Sequence, residues 1–114
     1  MATIYKICGR AEWQAAQRQG RYEGSAVDKR DGFIHFSTVT QLAETAAKHF
    51  AGQTELMLIA VDAEALGTSL KWEPSRGGYL FPHLYVPLPV AAVRWAQPLA
   101  DEIGNRRPLP ELAS

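Results

Sequence analysis

Along the chain, apolar and polar positions change their period several times, and each change marks an element. Thr3 to Ile7 alternates, with Ile4 and Lys6 on one side and Thr3, Tyr5 and Ile7 on the other, which predicts a half-buried strand. Ala11 to Gln19 is rich in helix formers and is followed by Gly20, so a short helix stops there. Trp13, Ala16 and Gln17 share one face of it, and Trp13 anchors that face to the core. Arg21 to Gly32 is polar, with the charged run Asp28-Lys29-Arg30-Asp31, and reads as a loop long enough to be a binding segment. Gly32 to Ser37 predicts a strand with Phe33, His35 and Ser37 on one face and Ile34 and Phe36 on the other. Thr38 and Gln41 offer a capping box for a helix carrying Val39, Leu42, Ala43, Ala46 and Phe50 at helical spacing, ended by Gly52.

The run Leu56 to Val61 is almost wholly apolar, the pattern of a central strand buried on both faces. Asp62 to Leu66 predicts one helical turn before Gly67. Leu70 to Glu73 is a short strand broken at Pro74, and Ser75 to Gly78 is a turn. Tyr79 to Tyr85 is an aromatic, extended segment in which Pro82 forbids a regular central strand. Pro87 and Pro89 bracket a kink before a final strand, Val90 to Trp95. From Gln97 a proline-marked tail wraps the surface or frays. Strands and helices mix without a βαβ rhythm, so the expected class is α+β, mostly antiparallel. One domain is expected over residues 1–114, with a core at about 3–98 and a surface tail at 99–114.

Composition narrows the function classes. Twelve basic and twelve acidic side chains cancel, so no net field draws the chain to nucleic acid or to an anionic membrane. The single cysteine, Cys8, excludes an internal disulfide and a cysteine-based zinc site. No apolar run approaches the roughly 18 residues that cross a bilayer. The N-terminal residues enter a strand pattern without the apolar stretch of a signal peptide, so a cytoplasmic protein is expected. Nothing in the pattern sets an oligomeric state.

The Gly-rich phosphate motifs of dinucleotide-binding and P-loop proteins are missing, and Gly77-Gly78 reads as a turn rather than a phosphate nest. Cys8 is a small strand-end residue or, less economically, a nucleophile. His49 falls at a helix end, where a cation suits the dipole. His35 and His83 are different: both stand among apolar neighbours, and an imidazole there needs a hydrogen-bond partner or lines a cleft. As core histidines they would bond a carbonyl. As site residues they would face a concave, partly dry pocket that stacks a planar ligand on Tyr85, Phe81 or Trp72. No carboxylate stands at a ligand-like spacing from either ring, so no metal site is expected. Glu73, at a strand end beside the Arg76-Gly77-Gly78 turn, either stabilises an oxocarbenium-like cation or pairs with Arg76 on the surface.

The strings Ile4-Tyr5-Lys6-Ile7, Ala11-Glu12-Trp13, Asp31-Gly32-Phe33-Ile34-His35-Phe36-Ser37-Thr38, Trp72-Glu73 and Phe81-Pro82-His83-Leu84-Tyr85 together resemble the DUF952 family, from about residue 3 to residue 95. The resemblance implies a minimal ADP-ribosyltransferase-like fold, a split, mostly antiparallel sheet gripping NAD in a central cleft. The strand Phe33 to Ser37 resembles one in which a histidine packs against nicotinamide, a place His35 would take. Lys6 stands where the related opening strand carries a ribose-binding histidine. Glu73 and the His83–Tyr85 segment are the candidates for the third catalytic position. What the resemblance implies is NAD or a related small nucleotide as ligand, with His35, His83 and Glu73 as catalytic residues. Lys6, Ser37, Thr38, Arg76 and Tyr85 would then bind the nucleotide. The alternative is an inactive ligand-binding or regulatory module using the same cleft.

Overall fold

The computed structural model describes residues 2–112, except for the side chain of Arg76. In chain order the elements are β1 (Thr3–Gly9), α1 (Arg10–Gln19), β2 (Arg21–Tyr22), α2 (Ala26–Asp31), β3 (Ile34–His35), α3 (Leu42–His49), β4 (Leu56–Asp62), β5 (Leu70–Pro74), β6 (Leu80–Leu84), β7 (Leu88–Pro89) and β8 (Val93–Leu99). Short 3₁₀ segments cover Ala63–Ser69, Arg76–Gly78 and Val90–Ala92. The strands form sheets in the orders β1-β4-β8, β2-β7 and β3-β6-β5, with every pair antiparallel. The class is α+β, as the mixed pattern implied.

The apolar run becomes β4, the central strand of the first sheet. Because successive side chains alternate, its two faces enter two different cores. Met57, Ile59 and Val61 pack with Ile4, Cys8 and Trp13, whereas Leu56, Leu58 and Ala60 pack with Tyr5, Ile7, Leu42 and Ala46. The helix α1 ends where expected: Gly20 adopts a left-handed φ of 84° and donates its N–H to the Ala16 carbonyl.

Four expectations need correction. The polar loop Arg21 to Gly32 contains β2 and the helix α2. Ser25 caps that helix, its Oγ accepting from Asp28 N at 3.2 Å while Asp28 Oδ2 accepts from Ser25 N at 2.9 Å. Thr38 and Gln41 close only half of the expected box, with Thr38 N donating to Gln41 Oε1 at 3.0 Å, so α3 begins at Leu42. The last strand starts at Val93, after a 3₁₀ turn, and runs to Leu99. The segment after it is strapped to the body, as Arg107 donates to the carbonyls of Ala100, Phe50 and Gln53.

The fourth correction concerns Pro82, which lies inside a central strand after all. Its ring nitrogen has no proton, and that edge of β6 faces β3. Phe36 N donates to the Pro82 carbonyl at 3.0 Å, but Pro82 has no donor to return the bond. The β3 ladder therefore holds only Ile34↔Leu84 and His35↔His83, while the β5 side of β6 pairs over five residues. Freed from β6, the chain crosses to the first sheet, where Ser37 and Tyr5 exchange both backbone hydrogen bonds, at 2.8 and 2.9 Å. The expected strand Gly32 to Ser37 is thus split between two sheets.

Candidate functional site

The register His35↔His83 puts both imidazoles on one face of the third sheet, because directly opposed residues share a face. Ile34 and Leu84, on the other face, belong to the core. The ring centroids of the two histidines lie 5.6 Å apart at 69°, edge to face. Phe33 covers both: its ring is 4.1 Å from His83 in a stacked arrangement and 4.5 Å from His35. Both histidines line a cleft of about 680 Å³, together with Tyr5, Lys6, Ser37 and Phe81, and α2 forms one wall of it.

Each imidazole has its own carboxylate. His35 Nδ1 lies 2.6 Å from Asp28 Oδ1, and its backbone N–H donates to the same oxygen at 3.1 Å. Asp28 is buried, and Lys6 Nζ reaches it at 2.8 Å and 3.0 Å. Burial alone would raise the Asp28 carboxyl. Hydrogen bonds from His35, the Lys6 charge and bond, and the Ser25 N–H outweigh it and hold the carboxyl far below the usual range. The other nitrogen of His35, Nε2, lies 3.0 Å from Asp31 Oδ2. Carboxylates only accept, so each of these contacts calls for an N–H on the ring.

At His83 the partner is Glu73, whose Oε1 lies 2.9 Å from Nδ1. Tyr85 donates its hydroxyl to the same oxygen at 2.6 Å. These two bonds, Tyr85 first, hold the Glu73 carboxyl below its ordinary value, and the same bond from Tyr85 raises the phenol. The pairing of Glu73 with Arg76 falls outside the described residues, as does any ligand contact of the Arg76 side chain.

The expected residues therefore divide. His35, His83, Lys6 and Ser37 come together on the cleft, with Ser37 Oγ 2.8 Å from Thr45 Oγ1. Glu73 touches the site through His83, and Tyr85 lines a shallower groove of about 160 Å³ beside Phe33. Thr38 sits in the turn before α3, its hydroxyl 3.2 Å from that of Thr40. Trp72 faces Pro82 on the opposite side of the sheet from His83 and is exposed, so Phe81 and Phe33 are the aromatics beside the imidazoles. Cys8 is buried, and burial first, then the Glu12 charge, pushes its thiol up to about 12, which suits packing and not nucleophilic attack. Among the described residues no group of three or more His, Cys, Asp or Glu is arranged to hold a metal ion. Among them, too, no helix is long and apolar enough to cross a membrane.

Sequence reasoning missed Asp28, Asp31 and Phe33. The signal for Asp28 was available: Ser25-Ala26-Val27-Asp28 has the capping-box spacing. Its burial was not legible, because the partners that permit it come from β1 and β3.

Comparison with known proteins bears on the family and the overall fold. A family model described as "Protein of unknown function (DUF952)" matches residues 7–96. The crystal structure of protein CC0527 from Caulobacter crescentus is 58% identical over 94% of this chain and 93% of that one, with a TM-score of 0.89. Its solution NMR structure, also 58% identical, covers 95% of this chain and 92% of that one, with a TM-score of 0.82. No curated protein matches.

Proposed function

This chain belongs to the DUF952 family, and from its site we propose that it binds NAD or a related nucleotide in the cleft between its two larger sheets. The observation that carries the reading is the convergence of two imidazoles, distant in sequence, on one wall of a cleft of about 680 Å³. That volume is typical of small-molecule sites, and the wall combines aromatic surface with a few fixed polar groups. The resemblance to ADP-ribosyltransferases implies a split β structure, and the crossover of the chain at Ser37 supports that part of the reading. In this reading His35, His83 and Phe81 hold the nicotinamide-ribose half. Lys6 acts through Asp28, because its ammonium is already paired there.

Chemistry on the N-glycosidic bond is the second reading, favoured by the Glu73–His83 contact. A carboxylate kept ionised beside a cleft-lining imidazole is suited to stabilising an oxocarbenium-like cation. A protein that binds without transfer needs only the histidine wall.

Thermal unfolding with added NAD, ADP-ribose or plain buffer tests binding. Mass action gives about 2.7 kcal/mol of stabilisation at a hundredfold excess over Kd. The expected result is a shift with NAD or ADP-ribose that His35→Ala abolishes without unfolding the protein. No shift with either nucleotide at millimolar concentration overturns the reading. Release of nicotinamide from NAD, lost in Glu73→Gln, would separate an enzyme from a binder.

A further inference from the structure

The two aspartates that meet His35 are held very differently. Asp28 is buried and takes Lys6 Nζ, the backbone N–H groups of Ser25 and His35, and His35 Nδ1. Nothing can displace it without undoing the cleft wall. Asp31 is the last residue of α2, and its side chain is 31% exposed. It has a solvent-side route of escape. Its carboxylate bridges two side chains, with Oδ1 3.0 Å from Arg30 Nε and Oδ2 3.0 Å from His35 Nε2. Arg30, Asp31 and His35 all line the cleft.

A guanidinium and an imidazole nitrogen spanned by one carboxylate have the donor arrangement of an anion site, filled here by the protein's own side chain. We propose that Arg30 and His35 form an oxyanion subsite for a phosphate group of the ligand, and that Asp31 occupies it in the free protein. This rests on the nucleotide reading and specifies which part of the ligand meets which residues. A diphosphate carries about two negative charges against the one of Asp31, so it competes for the same donors with the larger Coulomb attraction. On binding, Asp31 swings to solvent and Asp28 keeps Nδ1, so His35 stays oriented throughout. Asp31 thus lowers affinity for phosphate-bearing ligands, and its removal strengthens binding.

Calorimetric titration of the full chain with inorganic pyrophosphate, ADP-ribose and adenosine tests this. Both side chains are partly exposed, and the Ser25–Asp28 box that caps α2 is untouched, so thermal midpoints of the variants serve as the folding control. Asp31→Ala is expected to tighten pyrophosphate and ADP-ribose about fivefold, the size of one partly exposed ion pair, and to leave adenosine unchanged. Arg30→Gln is expected to weaken the two phosphate ligands by a similar factor. Equal phosphate affinities in wild type and Asp31→Ala, or an equal gain for adenosine, overturn the subsite. If the wild type binds nucleotides and Asp31→Ala gains nothing, the subsite falls and the nucleotide reading stands. If no nucleotide binds but pyrophosphate still gains in Asp31→Ala, the reading falls and the subsite stands. Absence of binding by every probe to every variant overturns both.

Discussion

At His35 the carboxylate partner is 2% exposed and the ring 33%, whereas at His83 the ring is 6% exposed and its carboxylate 36%. The same pair of groups is built inside out at the two ends of one cross-strand pair. A buried carboxylate is tolerated only with counter-charges, so Asp28 brings with it Lys6 from β1, His35 from β3 and the capping residue of α2. That cluster ties the two larger sheets and the cleft wall together. Glu73 is partly exposed, needs no such escort, and bonds His83 and Tyr85. The difference teaches that one carboxylate holds the fold while the other orients a ring and raises a phenol.

The largest break in this comparison comes from Asp28→Ala. It strands the Lys6 ammonium in the interior, and removal of one partner of a buried pair costs about 3–5 kcal/mol. Denaturant unfolding should show that loss, with the double variant Lys6→Met/Asp28→Leu recovering most of it. A loss below about 1 kcal/mol would show that Asp28 is solvated like Glu73.

Acid should separate the two sites next. The folded Asp28 carboxyl is depressed, so its contribution is fully present above the ordinary aspartate value and is lost as pH falls toward the folded one. The stability difference between wild type and Asp28→Asn should therefore shrink below about pH 4. A difference that stays constant down to pH 2 contradicts the assignment.

Phe33→Leu, which removes the shared aromatic cover, should cost about 0.5–1.5 kcal/mol beyond lost area and sharpen the contrast by freeing both rings. Glu73→Gln should leave the unfolding midpoint almost unmoved. It should return the Tyr85 phenol toward its ordinary value, visible in an ultraviolet pH titration, because the bond that raised it loses its charge. An unmoved phenol would mean that the Tyr85–Glu73 bond is not formed in solution.

Much of the scaffold was legible because it follows local periodicity. The unbroken apolar run Leu56 to Val61 can only be buried on both faces, and it is. Ala11 to Gln19 with Gly20 carried its own stop signal. Two of the errors share one cause: residues whose partners arrive from elsewhere. Pro82 looked incompatible with a central strand because its missing donor was counted without knowing which neighbour that edge would face. Asp28 sat in a charged run with the look of a solvated loop, and its burial depends on Lys6, 22 positions earlier.

The amino-acid order by itself determined β1, α1 and β4, their apolar faces and the presence of two imidazoles in apolar surroundings, since each depends on neighbours within a few positions. Tertiary structure alone decided that those imidazoles meet, through the β3–β6 register, and that Asp28 and not Asp31 is the buried partner of His35. The physical reason is that a charge is stable out of water only where opposite charges converge on it. That convergence is a property of strand register and not of spacing along the chain.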